Sequence, residues 1–427
     1  MEGYKNTEIG FLPDEWNFGR IDDFFEIQQG KQVSKSNRVG DNQSPFLRTS
    51  NIYWGKIAFE ELDYMHFSKE EEAKYQLKKN DLLVCEGGDI GRTAMWTQEV
   101  ENCYYQNHLH RLRAKTDVID PLFILQWLEY SFVYGKVYFG RANVTTIPNL
   151  SKSRLSEFII PQPPLPEQCK IAHVLSTVQK AIEQQDKIIR TTTELKKALM
   201  QKLFTEGTRG EPQKETEIGL VPDSWEVQPF ENTGEVIYGI QASVANNLKP
   251  IGNKILTNKN ITLDGKIYLE KINYFKLTTK RHFDTVLKKG DLLFNWRSGS
   301  KEHVGKTALF DLDEVYTHSS FILRIRVNNN HNNIFLYYYL NYLREMGYYQ
   351  KVQTYSINAK FNKSAINAMR IALPKKDEQE KIADILTVLD KKLNNLINHN
   401  NLEKDLFKTL LHELMTGQRR VHELEFK

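Results

Sequence analysis

The chain has 427 residues, of which 26% are charged and 40% hydrophobic, and its formal net charge is +4. This composition is that of an ordinary globular protein and excludes a fibrous or disordered chain, while the length allows about two to four domains. No apolar run approaches the ~18 residues of a membrane span, the N-terminus lacks a signal peptide, and three cysteines without paired spacing fit a reducing compartment. We therefore expect a cytoplasmic protein whose small net charge favours local basic patches over a strongly basic surface.

One pattern of sequence blocks occurs twice. T-E-I-G at Thr7 and P-D-E-W ending at Trp16 return as T-E-I-G at Thr216 and P-D-S-W ending at Trp225, about 210 residues later. L-K-K-x-D-L-L, G-[RK]-T-A, R-x-R and E-Q-x-K-I-A then follow in the same order in both halves. The nearly constant spacing indicates a tandem duplication, and two similar units suggest two copies of one binding task.

Apolar patterns predict short strands and one helix in each globular part. In the first half, Leu82–Cys85, Leu109–Leu112 and Phe158–Ile160 are predicted strands, and Leu122–Tyr134 is a predicted helix. The second half repeats that helix over Phe335–Leu343, whose aromatic residues have the spacing of a buried helix face rather than of a base-stacking platform. The predicted fold class is therefore α+β, with mixed α/β globular parts.

A proline-rich segment ends the first globular part and leads into a long helix. Such a segment favours extended geometry and makes a stiff spacer; it contains Pro161, Pro163, Pro164 and Pro166. Pro166 suits the first turn of the helix, and Glu167 lies favourably near its positive end. In the second half, Asp377 is the predicted N-cap before Glu378.

Both long helices carry a stripe of apolar residues at steps of three and four. The first stripe contains Ile171, Leu175, Val178, Ile182, Ile189, Leu195, Leu199 and Leu203. The second contains Ile382, Leu386, Leu389, Leu393, Leu396, Leu402, Leu406 and Leu410. Helices of about 40 residues are about 60 Å long, and we expect the two to pair antiparallel, with Asn400 able to fix their register. The alternative is that each helix packs on its own domain; Val174, Ile188 and Phe204, off the stripe, could dock partner subunits.

These repeated blocks resemble the specificity (S) subunit of type I restriction–modification enzymes. The resemblance rests on T-E-I-G-x-x-P-x-x-W, [NG]-D-L-L, G-[RK]-T-A and, after a proline, E-Q-x-K-I-A, which occur twice in the same order and cover nearly the whole chain. It implies that residues 1–160 and 211–374 are target recognition domains, each reading one half of a bipartite asymmetric DNA site. Residues 161–210 would hold the linker and the first conserved helix, and residues 375–420 the second, so that an antiparallel coiled coil sets the gap.

The same resemblance implies the partners. They are double-stranded DNA, two modification (methyltransferase) subunits that methylate adenine, and restriction subunits that act as ATP-dependent translocases and nucleases. The chain itself would be non-catalytic and would bind no cofactor, because S-adenosylmethionine, ATP and magnesium would belong to the partner subunits.

Motifs for chemistry within the chain itself are incomplete. The segment Gly299–Thr307 has one residue more than a P-loop allows before its G-K-T, and the first half lacks the lysine. No [DN]-P-P-[YFW] tetrapeptide, which amino-methyltransferases need, occurs in the sequence. His108 and His110 have no third metal ligand near them in sequence. We therefore expect neither a catalytic nor a metal site.

Polar stretches in each half have the side chains that DNA requires, since cations position phosphates and polar groups read base edges. In the first half the candidates are Lys31, Lys35, Arg38, Arg48, Thr49, Asn51, Tyr53, Lys56, Arg92, Arg141, Thr145, Thr146 and Asn149. In the second half they are Gln241, Lys254, Asn258, Lys259, Asn260, Arg297, Lys301, Lys306, Ser356, Asn358 and Lys360.

The halves agree in the shared blocks and differ in these stretches, as in Arg48–Asn51 against Thr257–Asn260. This predicts two half-sites of different sequence. Three other functions remain open: a free-standing DNA-binding regulator, an enzyme with an unrecognised site, and a coiled-coil adaptor that leaves no DNA footprint.

Overall fold

The structure is a computed structural model, and it describes residues 3–39, 42–138, 149–242, 250–352 and 361–423. The chain forms two units, each with its own core. The first combines Met1–Lys187 with Asn398–Lys427, and the second is Ile188–Ile397.

The first unit is a mixed α and β domain. Its strands are β1 (Tyr4–Thr7), β2 (Gly10–Pro13), β3 (Asn17–Arg20), β4 (Phe25–Gln29), β5 (Gln43–Leu47), β6 (Ile52–Tyr53), β7 (Lys56–Ile57), β8 (Asp63–His66), β9 (Leu82–Cys85), β10 (Thr93–Met95), β11 (Tyr104–Tyr105), β12 (Leu109–Ala114) and β13 (Ile159–Gln162). Its short helices are α1 (Ile21–Phe24), α2 (Lys69–Tyr75), α3 (Pro121–Glu129) and α4 (Lys152–Ser156). A π-helical turn, Tyr130–Tyr134, continues α3 to the predicted end of that helix. The long helix α5 (Leu165–Glu206) begins in this unit and ends in the second.

The second unit repeats these elements. Its strands are β14 (Gln213–Thr216), β15 (Gly219–Pro222), β16 (Glu226–Pro229), β17 (Gly234–Tyr238), β18 (Asn253–Leu256), β19 (Asn273–Phe275), β20 (Leu292–Asn295), β21 (Thr307–Leu309), β22 (Tyr316–His318), β23 (Ile322–Val327) and β24 (Arg370–Leu373). Its helices are α6 (Lys280–Phe283), α7 (Asn333–Glu345), α8 (Tyr348–Val352) and α9 (Lys363–Ala368), followed by the long helix α10 (Lys376–Met415).

Sheet topology confirms the duplication. A four-stranded antiparallel sheet has the order β10-β9-β12-β4 in the first unit and β21-β20-β23-β17 in the second. Each unit also has a three-stranded sheet, β11-β5-β8 and β22-β18-β19, with one parallel pair. The strands β9 and β20 are buried along their whole length, which explains why their sequences, L-L-V-C and L-L-F-N, are nearly continuous apolar runs.

Both long helices contribute residues to both cores. Phe407, Leu411 and Leu414, near the end of α10, lie in the core that surrounds Trp16 in the first unit. Met200 and Phe204, near the end of α5, lie in the core of the second. Each core is therefore built from the start of one long helix and the end of the other.

The repeated E-Q pair ties each long helix to its domain. In the first unit, the Gln168 Oε1 accepts a hydrogen bond from the backbone N–H of Asp120 at 2.9 Å, and its Nε2 donates to the Pro163 carbonyl at 2.8 Å. In the second, Gln379 does the same with Asn332 at 2.9 Å and the Pro374 carbonyl at 2.9 Å. Asp120 and Asn332 are the N-caps of α3 and α7, so the glutamine fixes one helix start against another.

Two predictions about the long helices are wrong. Asp377 is not the N-cap, because α10 begins at Lys376 and the Lys375 carbonyl already accepts the backbone N–H of Glu378 and of Gln379. Leu195, Leu402 and Leu406 do not lie in a buried seam, as their exposed fractions are 58%, 69% and 53%. Next to them, Lys196 and Lys404 form ion pairs between the helices, which turns the neighbouring leucines outward.

Candidate nucleic-acid interface

The arginines of the R-x-R block are structural. Arg113 makes two hydrogen bonds to the Asp81 carboxylate, at 2.8 and 2.6 Å, and Arg326 makes two to Asp291, at 2.7 and 2.6 Å. Both aspartates are buried, and their side-chain hydrogen bonds raise the pKa of Arg113 and of Arg326. These paired guanidinium groups stabilise each sheet rather than project from it.

A 3₁₀ turn lies within the first predicted DNA-contacting stretch of each unit, and its last asparagine points inward. The Asn51 Oδ1 accepts from the Arg48 N–H at 2.9 Å, and its Nδ2 donates to the carbonyls of Ala58 and Glu61. Asn260 makes the same bonds around Thr257–Asn260. Both asparagines are buried, so their amide groups are occupied in shaping the turn.

The cation of the G-[RK]-T-A block donates hydrogen bonds to backbone carbonyls in and next to that turn. The Arg92 guanidinium donates to the Thr49 carbonyl at 2.8 Å, and the Lys306 ammonium donates to the Asn258 and Ile261 carbonyls at 3.1 and 2.5 Å. Lys306 is 5% exposed, and burial lowers the pKa of its ammonium group. Its ammonium group is therefore not directed at a nucleotide phosphate. In addition, Gly299–Thr307 contains a short 3₁₀ turn and no long helix, unlike a P-loop.

Lys31 is also buried among protein groups. Its Nζ is 2.6 Å from the Glu71 carboxylate and 2.7 Å from the His66 carbonyl, and it lies over the Phe67 ring. Four of the candidate residues, Lys31, Asn51, Asn260 and Lys306, are thus used within the fold.

Several other candidates, some exposed and some half-buried, have partners inside their own unit. Arg38 and Arg48 both contact the Asp63 carboxylate, at 2.5 and 3.1 Å. Arg92 pairs with Asp89 at 2.7 Å and lies over the exposed ring of Tyr53. In the second unit, Lys254 pairs with Glu314, and Arg297 lies over the Phe321 ring. Such partners orient a cation while leaving hydrogen-bond donors for a further ligand.

The remaining described candidates have solvent-accessible side chains. Those that are exposed are Lys35, Lys56, Asn149, Gln241, Lys259 and Lys301, whereas Thr49 and Asn258 are half-buried. Arg141, Thr145, Thr146, Ser356, Asn358 and Lys360 lie outside the described residues. Lys56 lies in β7, whereas the other exposed candidates lie in loops or short turns.

The two histidines of the predicted strand lie in different environments. His110 is buried in β12, where its Nε2 lies 2.8 Å from the Leu150 carbonyl, whereas His108 precedes the strand and is largely exposed. Across the described ranges, no group of three His, Cys, Asp or Glu residues could hold a metal ion. Within the same ranges, no helix is long and apolar enough to cross a membrane.

Besides the apolar residues that they share in each core, the long helices make polar contacts with each other within each unit. In the first unit, the Asn400 Nδ2 donates to Asp186 at 2.7 Å and the Lys404 ammonium to the same carboxylate at 2.8 Å, which lowers the pKa of Asp186. In the second unit, Lys196 pairs with Asp390, whose carboxylate also accepts from the Tyr338 hydroxyl at 2.8 Å.

Sequence reasoning missed the contacts that join the segment after each long helix to the start of the other long helix. These contacts show that the two helices run antiparallel within each unit. The segment after α10 brings Arg420 to Glu167 at the start of α5, at 2.7 and 2.9 Å, and the Trp16 indole donates to the same carboxylate. After α5, Thr208 donates through its N–H and its hydroxyl to Glu378 at the start of α10. A repeated G-x-R signal, Gly207–Arg209 and Gly417–Arg419, follows each helix in the sequence.

The exposed faces of the helices carry aliphatic side chains. In the second unit, Ile188 and Leu195 on α5 and Ile385 and Val388 on α10 are all more than one third exposed. Two of the three residues that were predicted to be available for docking, Val174 and Phe204, are instead buried in the cores of their own units. Of the three, Ile188 alone remains a docking candidate.

Comparison with known proteins agrees with this architecture. A family model described as the type I restriction modification DNA specificity domain matches the chain twice, over residues 13–191 and 224–404. A putative type I restriction enzyme MjaX specificity subunit from Methanocaldococcus jannaschii is 27% identical, with 98% of this chain and 97% of that protein covered. The MjaVIII specificity subunit of the same organism is 26% identical, with 100% and 98% covered.

Two solved structures share the fold. A chain from a study of complex assembly and conformational transition of the type I R-M system has a TM-score of 0.58 at 16% identity, with 96% of this chain and 99% of that chain covered. The S subunit from M. genitalium has a TM-score of 0.57 at 16% identity, with 93% and 96% covered. With two family-model matches that span most of its length, the chain belongs to the type I restriction–modification DNA specificity family and is a specificity subunit of such a system.

Proposed function

We propose that each unit reads one half of a bipartite asymmetric DNA site. The observation that carries this proposal is the pair of 3₁₀ turns: Arg48–Asn51 and Thr257–Asn260 have the same internal hydrogen bonds but different outward side chains, Ser50 and Lys259. The same scaffold with different exposed groups is suited to reading two different base sequences, because base edges are distinguished by their donors and acceptors.

The helix pair then sets the distance between the half-sites and docks two methyltransferase subunits. The aliphatic side chains of Ile188, Leu195, Ile385 and Val388 support this role, because an exposed apolar surface on a charged helix is suited to a protein partner. Restriction subunits would join through the same assembly, and adenine would be the methylated base. We place the complex in the cytoplasm.

In this proposal the chain contributes recognition and no chemistry. S-adenosylmethionine would bind to the methyltransferase subunits, and ATP and magnesium to the restriction subunits. The residues of this chain position DNA and partner, so its substitutions should change which site is modified or how tightly it is bound.

Methylation mapping tests the proposal. The chain is coexpressed with the modification subunits of its own host, and adenine methylation is mapped across that genome by single-molecule sequencing. We expect a bipartite motif that disappears without this chain. Replacing residues 214–374 by the corresponding segment of another specificity subunit should change one half of the motif and leave the other half and the gap unchanged. A chain that yields no motif and does not co-purify with a methyltransferase contradicts the proposal and favours a free-standing DNA-binding regulator.

A further inference from the structure

The two units differ at one position that the scaffold makes equivalent. The sequence G-x-Q occurs as Gly30–Gln32 in the first unit and as Gly239–Gln241 in the second. The backbone N–H of Lys31 donates to the Tyr105 carbonyl, and that of Ile240 donates to the His318 carbonyl, so the middle residues occupy the same place. The first unit has a lysine there and the second an isoleucine.

In the first unit, the charge at this place is neutralised internally. Lys31 is 8% exposed and its ammonium lies 2.6 Å from Glu71, which belongs to the acidic helix α2, K-E-E-E-A-K-Y. The Lys31 side chain therefore fills the space between the strand end and this helix. Burial alone would raise the pKa of Glu71, but the hydrogen bonds from the Lys31 ammonium and the Ser68 N–H lower it below its ordinary value.

In the second unit, both members of this pair are replaced. The counterpart of α2 is α6, which follows an equivalent Thr279 cap and has the basic sequence K-R-H-F. A cavity of about 470 Å³ opens beside Ile240, and its polar lining includes Tyr238, Gln241, Arg281, His282, Asp284, Thr285 and Lys363. Within the part of the chain that the structure describes, neither Arg281 nor Lys363 is paired with a carboxylate, and Asp284 is the acidic group on the lining.

We propose that this cavity binds a backbone phosphate of duplex DNA through Arg281 and Lys363, and that the first unit has no equivalent site. The proposal rests on the DNA-reading function above and adds a residue-level contact to it. Two cations on separate elements, α6 and α9, line a space that Gln241 also lines; its amide donates one N–H to the Gly239 carbonyl at 2.9 Å and keeps the other. Arginine, lysine and amide donors of this kind position phosphates without reading bases. The helix α9 directly follows, in sequence, a polar stretch predicted to read bases, and Gln241 begins another, so a bound phosphate would fix the second unit in register on its half-site.

The test measures binding of the complete complex with its methyltransferase subunits to a duplex that carries the mapped methylation motif. We expect Arg281→Ala and Lys363→Ala each to weaken binding equally on all duplexes and to reduce the slope of log K against log salt by about 1, as for one lost phosphate contact. Lys280→Ala is the matched control, because it removes the same charge from the same helical turn but lies outside the cavity lining. The control should keep the wild-type slope.

A double variant tests the comparison between the units directly. Ile240→Lys with His282→Glu, at the position equivalent to Glu71, rebuilds the ion pair of the first unit inside the second, and it should fill the cavity and lose at least as much affinity as Arg281→Ala. Thermal melting establishes that each variant is folded. If the motif is absent, the specificity function itself fails. If the motif is present but the cavity variants keep the wild-type slope, or if Lys280→Ala reduces the slope as much as they do, the proposed phosphate site is wrong.

Discussion

The amide of Asn400 donates to the Asp186 carboxylate at 2.7 Å, and this bond joins α10 to α5 within the first unit. Asn400 is 4% exposed, although it lies in the polar run Asn398–Asn401 that interrupts the apolar stripe. A buried asparagine between paired helices specifies register, because a shift would leave its amide without a partner. The bond therefore supports the register role that the sequence predicts.

Replacing Asn400 should destabilise the first unit. Asn400→Ala removes the bond and leaves Asp186 with Lys404 alone, so the free energy of unfolding should fall by about 1 kcal/mol. Chemical denaturation followed by circular dichroism measures this. Asn401→Ala is the control, since its side chain is exposed, and it should have no effect. Equal loss in both variants would contradict the register role.

The buried carboxyl of Glu129 should make the first unit less stable as pH rises. Burial raises the pKa of Glu129 to about 7 from an ordinary value of 4.5. Because the folded state holds the proton more tightly than the unfolded state, stability falls between about pH 4.5 and 7 and stays low above that range, by at most about 3 kcal/mol. The helix α7 has Asn341 at the matching position, nine residues after the N-cap, where it bonds Thr307.

Glu129→Gln should therefore raise the melting temperature at pH 8 and leave it nearly unchanged at pH 5. The difference between variant and wild type is the informative quantity, because burial lowers the pKa of His110 in the same unit and gives the opposite pH dependence. A variant that is no more stable than wild type at pH 8 would show that the Glu129 carboxylate is solvated.

Lys306 should matter for stability. Lys306→Met removes the ammonium that holds the Asn258 and Ile261 carbonyls, and we expect a loss of about 1–3 kcal/mol. Lys301→Ala, in the same loop but exposed, should cost nothing measurable. Thermal unfolding of the two variants measures this difference. A Lys306→Met variant as stable as the wild type would contradict the structural role and make Lys306 a candidate for DNA contact again.

The ion pair between Arg420 and Glu167 should stabilise the first unit. Arg420→Ala leaves Glu167, which is 8% exposed, with the Trp16 indole as its remaining partner, and should cost about 2 kcal/mol. Arg419→Ala breaks a more exposed pair with Glu413 and should cost much less. Comparable losses in the two variants would mean that the Arg420–Glu167 pair contributes no more to stability than a surface ion pair.

Repetition and periodicity predicted the elements of the fold well, because apolar spacing is set by burial. Leu82–Cys85 is a strand with the predicted bounds, and the aromatic residues of Phe335–Leu343 lie on the core helix α7. Spacing could not show whether a polar loop residue points outward or inward. Lys31 and Lys306 have the same chemistry as surface lysines, and only the position of nearby carboxylates and carbonyls makes them internal.

The prediction that every apolar residue of the stripes lies in a buried helix seam was wrong for a related reason. Leu195 satisfies the apolar spacing, yet the contact at that level is the ion pair of Lys196 with Asp390. A pattern of apolar residues alone cannot place a charged pair in an interface. The repeated G-x-R after each helix, by contrast, was visible in the sequence and marks the segments that close on Glu167 and Glu378.

The first unit takes its core from both ends of the chain, and this has a consequence for biosynthesis. The second unit, Ile188–Ile397, is continuous, so it can fold while the ribosome is still translating. The first unit has to wait for Phe407, Leu411 and Leu414, which are translated only after the whole second unit. The half of the protein that is made first is therefore completed last, and a nascent chain that terminates early would expose the apolar surface of its own N-terminal domain.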